Sequence, residues 1–164
     1  MIRNVQLSDA KAIADIYNHY VLNGVATFEE TTVSEHEMAQ RIDKQQQSNL
    51  PWLVILNNEE KIVGYAYGGQ FKERSAYRFS VESTIYLSPD NGGKGYGSML
   101  YNALFEVLKS SNIHVVIGVI SLPNDASIAL HEKMGMKKVA HFEEVGYKFG
   151  KWIDVGYWQV KLNS

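Results

Sequence analysis

Gly92, Gly93, Gly95 and Gly97, with Lys94 and Tyr96 between them, place four glycines in six residues just before Ser98 and an amphipathic segment. Such a loop suits a bound phosphate. Glycines let the main chain approach an anion closely, and the free N–H groups of a first helical turn point at it. A plain turn at a strand end needs only one or two glycines, so the loop reads as an anion cradle. Two familiar nucleotide loops do not fit it. The G-x-x-x-x-G-K-S/T loop needs a lysine followed by serine or threonine, and no such pair follows these glycines. The dinucleotide pattern G-x-G-x-x-G fails in both frames, because Gly93 leads to Ser98 and Gly95 to Leu100.

A strand must bring the chain into this loop and a helix must carry it away. Residues 81–87 alternate as a strand, with Glu82, Thr84 and Tyr86 on one face and Val81, Ser83, Ile85 and Leu87 on the other. Beyond the loop, Leu100, Ala103, Leu104, Val107 and Leu108 form a helical core stripe. Residues 113–120 are apolar almost throughout, as in a strand covered on both faces. Residues 125–134 follow as a short helix capped by Asn124 or Asp125 and stopped by Gly135. Upstream, residues 2–5 read as a strand, and Ser8 as the N-cap of a helix burying Ile13, Ile16, Tyr17, Tyr20 and Val21. Ser34 and Glu37 have capping-box spacing for a second helix with Met38 and Ile42, whose polar end at 45–49 is expected to fray. Strands at 52–56 and 61–67 meet at a tight Asn57-Asn58 turn, residues 71–78 are a charged aromatic loop, and 137–142 and 153–161 supply the last strands. The fold class is α/β, a mixed central sheet flanked by helices on both faces, in one domain over 1–164.

Bulk composition narrows the function. Sixteen basic residues against eighteen acidic ones, in 164, offer no general attraction for nucleic acid or an anionic membrane. There is no cysteine, which excludes disulfides, thiolate metal sites and a cysteine nucleophile. His19, His36, His114 and His141 show no metal-ligand spacing, so no metal is expected. Met1 to Asn4 lead into no apolar signal core, and a soluble, cytoplasmic protein is expected.

The glycine loop resembles the acyl-CoA loop of the GNAT acetyltransferase superfamily: Gln or Arg, two residues, Gly, one residue, then Gly or Ala. Gly95 and Gly97 match, whereas Gly92 departs from the usual Gln or Arg. Asn124 to Met136 is similar to the same superfamily's N-x-x-A/S-x-x-L/F-Y/H-x-x-x-G-F/M helix, and it arrives one helix and one strand later. The likeness narrows and spans nearly the whole chain. Segments 16–21, 26–31, 77–78, 81–82 and 145–154 together resemble the phosphinothricin and methionine sulfone or sulfoximine N-acetyltransferases. The resemblance implies a homodimer that transfers acetyl from acetyl-CoA to the α-amino group of a small amino acid or analogue. The rival readings are a peptide or ribosomal-protein N-terminal acetyltransferase and a non-catalytic acyl-CoA sensor.

That chemistry needs a neutral amine, a polarised thioester carbonyl and a protonated leaving thiolate. Glu82 is the candidate base, as the resemblance implies; the competing reading pairs it structurally with Arg78 or Arg74. His131 stands where many superfamily members carry a tyrosine that protonates the thiolate, and is either the acid or a structural histidine. Main-chain groups at Ile85, Tyr86 and Leu87 are implied contacts of the pantetheine arm and thioester oxygen. Gly93, Lys94, Gly95, Tyr96, Gly97 and Ser98 would take the pyrophosphate, and Asn124 the pantetheine arm. Lys133 either reaches a cofactor phosphate or is a solvated helix lysine. An acceptor carboxylate suits a guanidinium, for which Arg78 beside Tyr77 is the choice over Lys72 and Arg74. Phe28, Glu29 and Glu30 lie in the connection that covers the acceptor in the superfamily. Phe149 and Trp152 either complete that pocket, from this chain or a partner, or serve packing.

Overall fold

The computed structural model describes residues 1–162. The elements run β1 (Ile2–Asn4), a 3-10 turn (Leu7–Asp9), α1 (Ala10–Asn23), α2 (Glu35–Gln47), β2 (Trp52–Leu56), β3 (Ile62–Gln70) and β4 (Ser80–Leu87). They continue with α3 (Tyr96–Ser110), β5 (Val115–Ser121), α4 (Asp125–Lys133), β6 (Lys137–Lys148) and β7 (Lys151–Lys161). The seven strands form one sheet in the order β1-β2-β3-β4-β5-β7-β6. Only β4 and β5 are parallel neighbours; the other pairs are antiparallel.

Strand alternation sorts side chains into two cores. Leu53 and Ile55 of β2 join Leu100, Tyr101, Leu104, Phe105 and Leu108 of α3 on one face. Trp52 and Val54 join Ile13, Ile16 and Tyr17 of α1 and Met38 and Ile42 of α2 on the other. Helices therefore cover both faces, as the mixed pattern of the sequence implies. No helix of the described residues is long and apolar enough to cross a membrane.

Local details depart from sequence expectation for physical reasons. Ser8 lies inside the 3-10 turn, and Asp9 is the N-cap residue of α1. The Asp9 carboxylate accepts from Arg3 (2.8 and 3.0 Å) and from the Gln6 N–H (2.8 Å), tying β1 to that helix start. Ser34 caps α2 through the Glu37 N–H at 3.0 Å, while the Glu37 carboxylate turns to Arg41 instead of closing a box. The end of α2 does not fray at Gln45 and Gln46: their amides donate to Gly68 O (2.5 Å) and Val5 O (3.2 Å), pinning the helix to the sheet. Asn57 does not make a two-residue turn; its side chain accepts from the Glu59 and Lys61 N–H groups, and Glu60 takes φ 61°. In α3 the buried stripe is rotated by a residue, so Tyr101 and Phe105 are in the core and Val107 is exposed.

The last hairpin is longer than its hydrophobic pattern. β6 runs on to Lys148 because pairing with β7 resumes after a bulge between Phe142 and Gly146. The Asp154 carboxylate accepts from the Glu144 N–H at 2.8 Å and holds that bulge. Phe149 and Gly150, both at positive φ, make the closing turn.

Candidate active site

β4 and β5 pair only from Ser80/Val115 to Ser83/Gly118. Beyond that point β4 stays with β3 as far as Leu87, and β5 stays with β7 as far as Ser121. The sheet is thus split into a wedge. A cavity of about 970 Å³ fills it, reaching from Tyr17, Thr27 and Phe28 on one side to Gly93, Gly95 and Asn124 on the other.

The wedge exposes main chain. Ser88 N–H donates to Val63 O at 2.8 Å, which makes Gly64 and Leu87 a wide, non-bonded pair. By alternation, the main-chain groups of Ile85 and Leu87 turn away from β3 into the wedge, while those of Tyr86 belong to the β3 ladder. The Tyr20 hydroxyl already donates to Leu87 O, leaving the Leu87 N–H facing the cavity. Of the implied strand contacts, Ile85 and Leu87 offer backbone and Tyr86 offers only its ring. The Tyr86 hydroxyl donates to Ala26 O (3.3 Å), and burial raises its pKa.

At the wedge mouth Gly93 and Gly95 adopt φ +76° and +81°, a conformation that disfavours side chains. Gly95 is the N-cap of α3, and no side chain caps that helix. The first-turn N–H groups therefore point into the cavity, which Gly97 and Ser98 line. A Cβ on Gly97 would lie 3.3 Å from Leu130 and 3.5 Å from Leu87, so the glycine also brings α3 close to α4 and β4. Asn124 caps α4 by accepting from the Ser127 N–H (3.1 Å) and lines the same cavity. Lys94, Tyr96 and Lys133 are not in its wall. Lys94 reaches Asn91 (3.4 Å), and Tyr96 packs against the core.

Glu82 lies in the wall on the α1/α2 side. Among the described residues its carboxylate makes no hydrogen bond or ion pair, so the structural pairing with Arg78 or Arg74 does not form. Burial holds its carboxyl above the ordinary carboxylate value, with the charge of Lys72 opposing. Arg78 is instead occupied by Ser75 O (3.0 Å) and by the Phe79 ring, 4.5 Å away. Tyr77 sets its ring edge-on to Phe71. Tyr77, Arg78 and Phe149 lie outside the cavity. Phe28 lines it, whereas Glu29 faces an adjoining cavity of about 460 Å³ and is gripped by Arg41 (2.6 and 3.0 Å) and the Tyr17 hydroxyl (2.6 Å).

On the opposite face His131 is buried against β5. Its Nδ1 donates to Ser127 O (2.7 Å), so its Nε2 accepts from the Tyr101 hydroxyl (3.1 Å), which in turn is bonded to Ser83 Oγ (3.0 Å). Burial lowers the His131 pKa and raises that of Tyr101, so the ring is neutral and the phenol keeps its proton. Gly118 makes room for this ring: a Cβ there would lie 2.4 Å from His131 Cδ2. Sequence reasoning passed over Tyr101 and Ser83. The available signal was the one hydroxyl-bearing side chain in an otherwise apolar helical stripe, because a buried phenol needs a partner.

The split β4/β5 wedge thus places an uncapped helix start, suited to an anion, and an unpaired carboxylate in one cavity. Residues 2–156 match the family described as Acetyltransferase (GNAT) domain, and the chain belongs to it. The phosphinothricin N-acetyltransferase of Streptomyces viridochromogenes is 37% identical, over 96% of this chain and 85% of the relative. The L-methionine sulfoximine/L-methionine sulfone acetyltransferase of Pseudomonas aeruginosa is 33% identical, over 99% and 94%. The crystal structure of a GNAT superfamily phosphinothricin acetyltransferase from Sinorhizobium meliloti in complex with AcCoA superposes with a TM-score of 0.97. It is 39% identical, over 99% of this chain and 88% of that one.

Proposed function

We propose that this chain transfers the acetyl group of acetyl-CoA to the α-amino group of a small amino acid or analogue of the methionine sulfone, methionine sulfoximine or phosphinothricin type. One observation carries the reading: a single cavity joins the uncapped start of α3 to the unpaired Glu82 carboxylate. The residues present fit acetyl-CoA. The α3 N–H groups suit its pyrophosphate, and the cavity-facing main chain of Ile85 and Leu87 and the carboxamide of Asn124 suit its amide-rich arm. When bound, it would supply the thioester carbonyl that the amine attacks.

The protein's own groups do the rest. Glu82 takes a proton from the incoming ammonium, directly or through water, and its burial brings its basicity toward that of the working pH. A fixed N–H of the wedge strand polarises the carbonyl oxygen. The proton for the departing thiolate is assigned to the His131 wall, where Tyr101 and the neutral imidazole share a hydrogen bond.

No lysine or arginine lines the cavity among the described residues. The cation for an acceptor carboxylate is therefore assigned to the 71–78 loop, Lys72, Arg74 or Arg78, rearranged or contributed by a second copy. A homodimer is supported by the sheet edge. β6 is an open edge strand carrying exposed Val139, Phe142, Val145 and Tyr147, with exposed Phe149 and Trp152 beside them. The reading places the protein in the cytoplasm, where acetyl-CoA is at hand, and the cysteine-free composition fits that location.

Release of free thiol from acetyl-CoA, measured over a panel of amino acids with methionine sulfone and phosphinothricin included, tests the reading. Turnover confined to small amino acids is expected. Turnover only of peptide N-termini would make the protein a peptide acetyltransferase, and acetyl-CoA binding without release for any amine would make it a sensor.

A further inference from the structure

Lys148 is the most buried charged residue among the described residues, only 1% exposed, although it stands near the tip of an edge hairpin. Its ammonium donates to the Thr27 carbonyl at 2.9 Å and lies 5.1 Å from the Phe149 ring. Burial lowers its pKa, and Glu30 partly restores it. A lysine is held inside a protein only where its charge meets fixed partners, because removing it from water is costly. Here the main fixed partner is the main chain of a loop, residues 26–30, that roofs the acceptor end of the cavity.

Two residues earlier on the same strand face, Gly146 meets the same loop. A Cβ on Gly146 would lie 2.3 and 2.5 Å from Cζ and Cε2 of Phe28, and Phe28 lines the cavity. Any side chain there would displace that ring. The loop is fixed from its other side by residues of the site itself. The Thr27 hydroxyl is bonded to the Tyr17 hydroxyl (2.8 Å), and Ala26 O accepts from Tyr86 of β4.

Resting on the acetyltransferase reading above, we propose that Lys148 and Gly146 are positioning residues for the acceptor. The β6/β7 hairpin grips the 26–30 loop through the Lys148–Thr27 bond and the Phe28–Gly146 contact. In doing so it sets the height of the chamber roof over Glu82. The hairpin is then a specificity element for the amine and has no part in holding acetyl-CoA, whose cradle at Gly93 to Ser98 lies at the other end of the wedge.

Two measurements on the full chain test this. Hydrogen exchange needs no substrate. In Lys148→Met, which keeps the aliphatic stem and removes the charge, the Glu29 amide, bonded to Thr27 Oγ1 at 3.2 Å, should exchange about tenfold faster. The core amides of α3 should be unchanged. Steady-state kinetics then reads function. Lys148→Met and Gly146→Ala should each raise the KM for the amine on the order of tenfold, within the roughly 10²-fold that a misplacement of a reactant by about 1 Å can cost. The KM for acetyl-CoA should stay put. In a Phe28→Ala background the effect of Gly146→Ala should vanish, because the ring it displaces is gone. Unchanged exchange at 27–30, an acetyl-CoA KM rising in step with that of the amine, or a Gly146→Ala penalty undiminished without Phe28 would each overturn the proposal. If Lys148→Met does not fold, the Phe28/Gly146 cycle still decides. If no amine is acetylated at all, the function proposed above has failed, and the exchange measurement still decides the clamp.

Discussion

At the scale of single residues, the buried carboxyl of Glu82, the proposed base, carries a cost to stability. Its folded-state pKa is raised, so between the unfolded and folded values the native state binds the extra proton and stability falls as pH rises. The stabilising contribution of the protonated group is present below the unfolded pKa and is lost through the folded one. Glu82→Gln removes that loss and should raise the melting temperature at pH 7.5 but not at pH 4, as calorimetry can check. The same variant should lower turnover by about 10²–10⁴-fold, the usual worth of a general base, with acetyl-CoA affinity intact. Unchanged turnover would remove Glu82 from the mechanism. The residue itself was legible as the one carboxylate on the strand entering the glycine loop. Its freedom from Arg78 was not legible, because that depends on where the 71–78 loop sends the guanidinium.

At the scale of elements, the glycine loop and α3 work as one unit. Gly95 is both the N-cap and a left-handed residue, and alanine there costs about 1–2 kcal/mol in backbone strain. Gly95→Ala should therefore weaken acetyl-CoA binding on the order of tenfold by titration calorimetry, with the amine KM little affected. On the other face, Gly118 and His131 form a similar fit. Gly118→Ala should push the imidazole off the Tyr101 hydroxyl and lower turnover, visible as a changed alkaline limb of the rate profile, without weakening acetyl-CoA binding. The strand, loop and helix around the cradle were readable because each is a local pattern: alternation, glycine spacing, helical stripe. The far half of β6 was not. Glu143 and Glu144 interrupt the apolar pattern there, and residues 146–148 extend the strand by pairing with β7 beyond a bulge that Asp154 holds.

At the scale of the whole molecule, the exposed edge at β6 predicts association. Tyr147 and Trp152 face each other across the hairpin with ring centroids 4.8 Å apart, and both are more than half exposed. Trp152→Ser combined with Tyr147→Ser should shift the protein from dimer to monomer in sedimentation velocity. A wild type that sediments as a monomer would refute the homodimer outright.

By itself the sequence determined the class of fold and the place of the glycine loop proposed as the cofactor cradle, since both arise from local periodicity and from backbone freedom at glycine. It also supplied the resemblance from which the acetyl donor and the class of acceptor were expected. Only the tertiary structure decided which main-chain groups of β4 face the wedge, for that follows from pairing register and not from residue type. It alone joined Ser83, Tyr101 and His131 into one chain from a strand and two helices. It alone brought Lys148 to Thr27 across 121 positions of sequence, because a contact between distant segments leaves no pattern in either one.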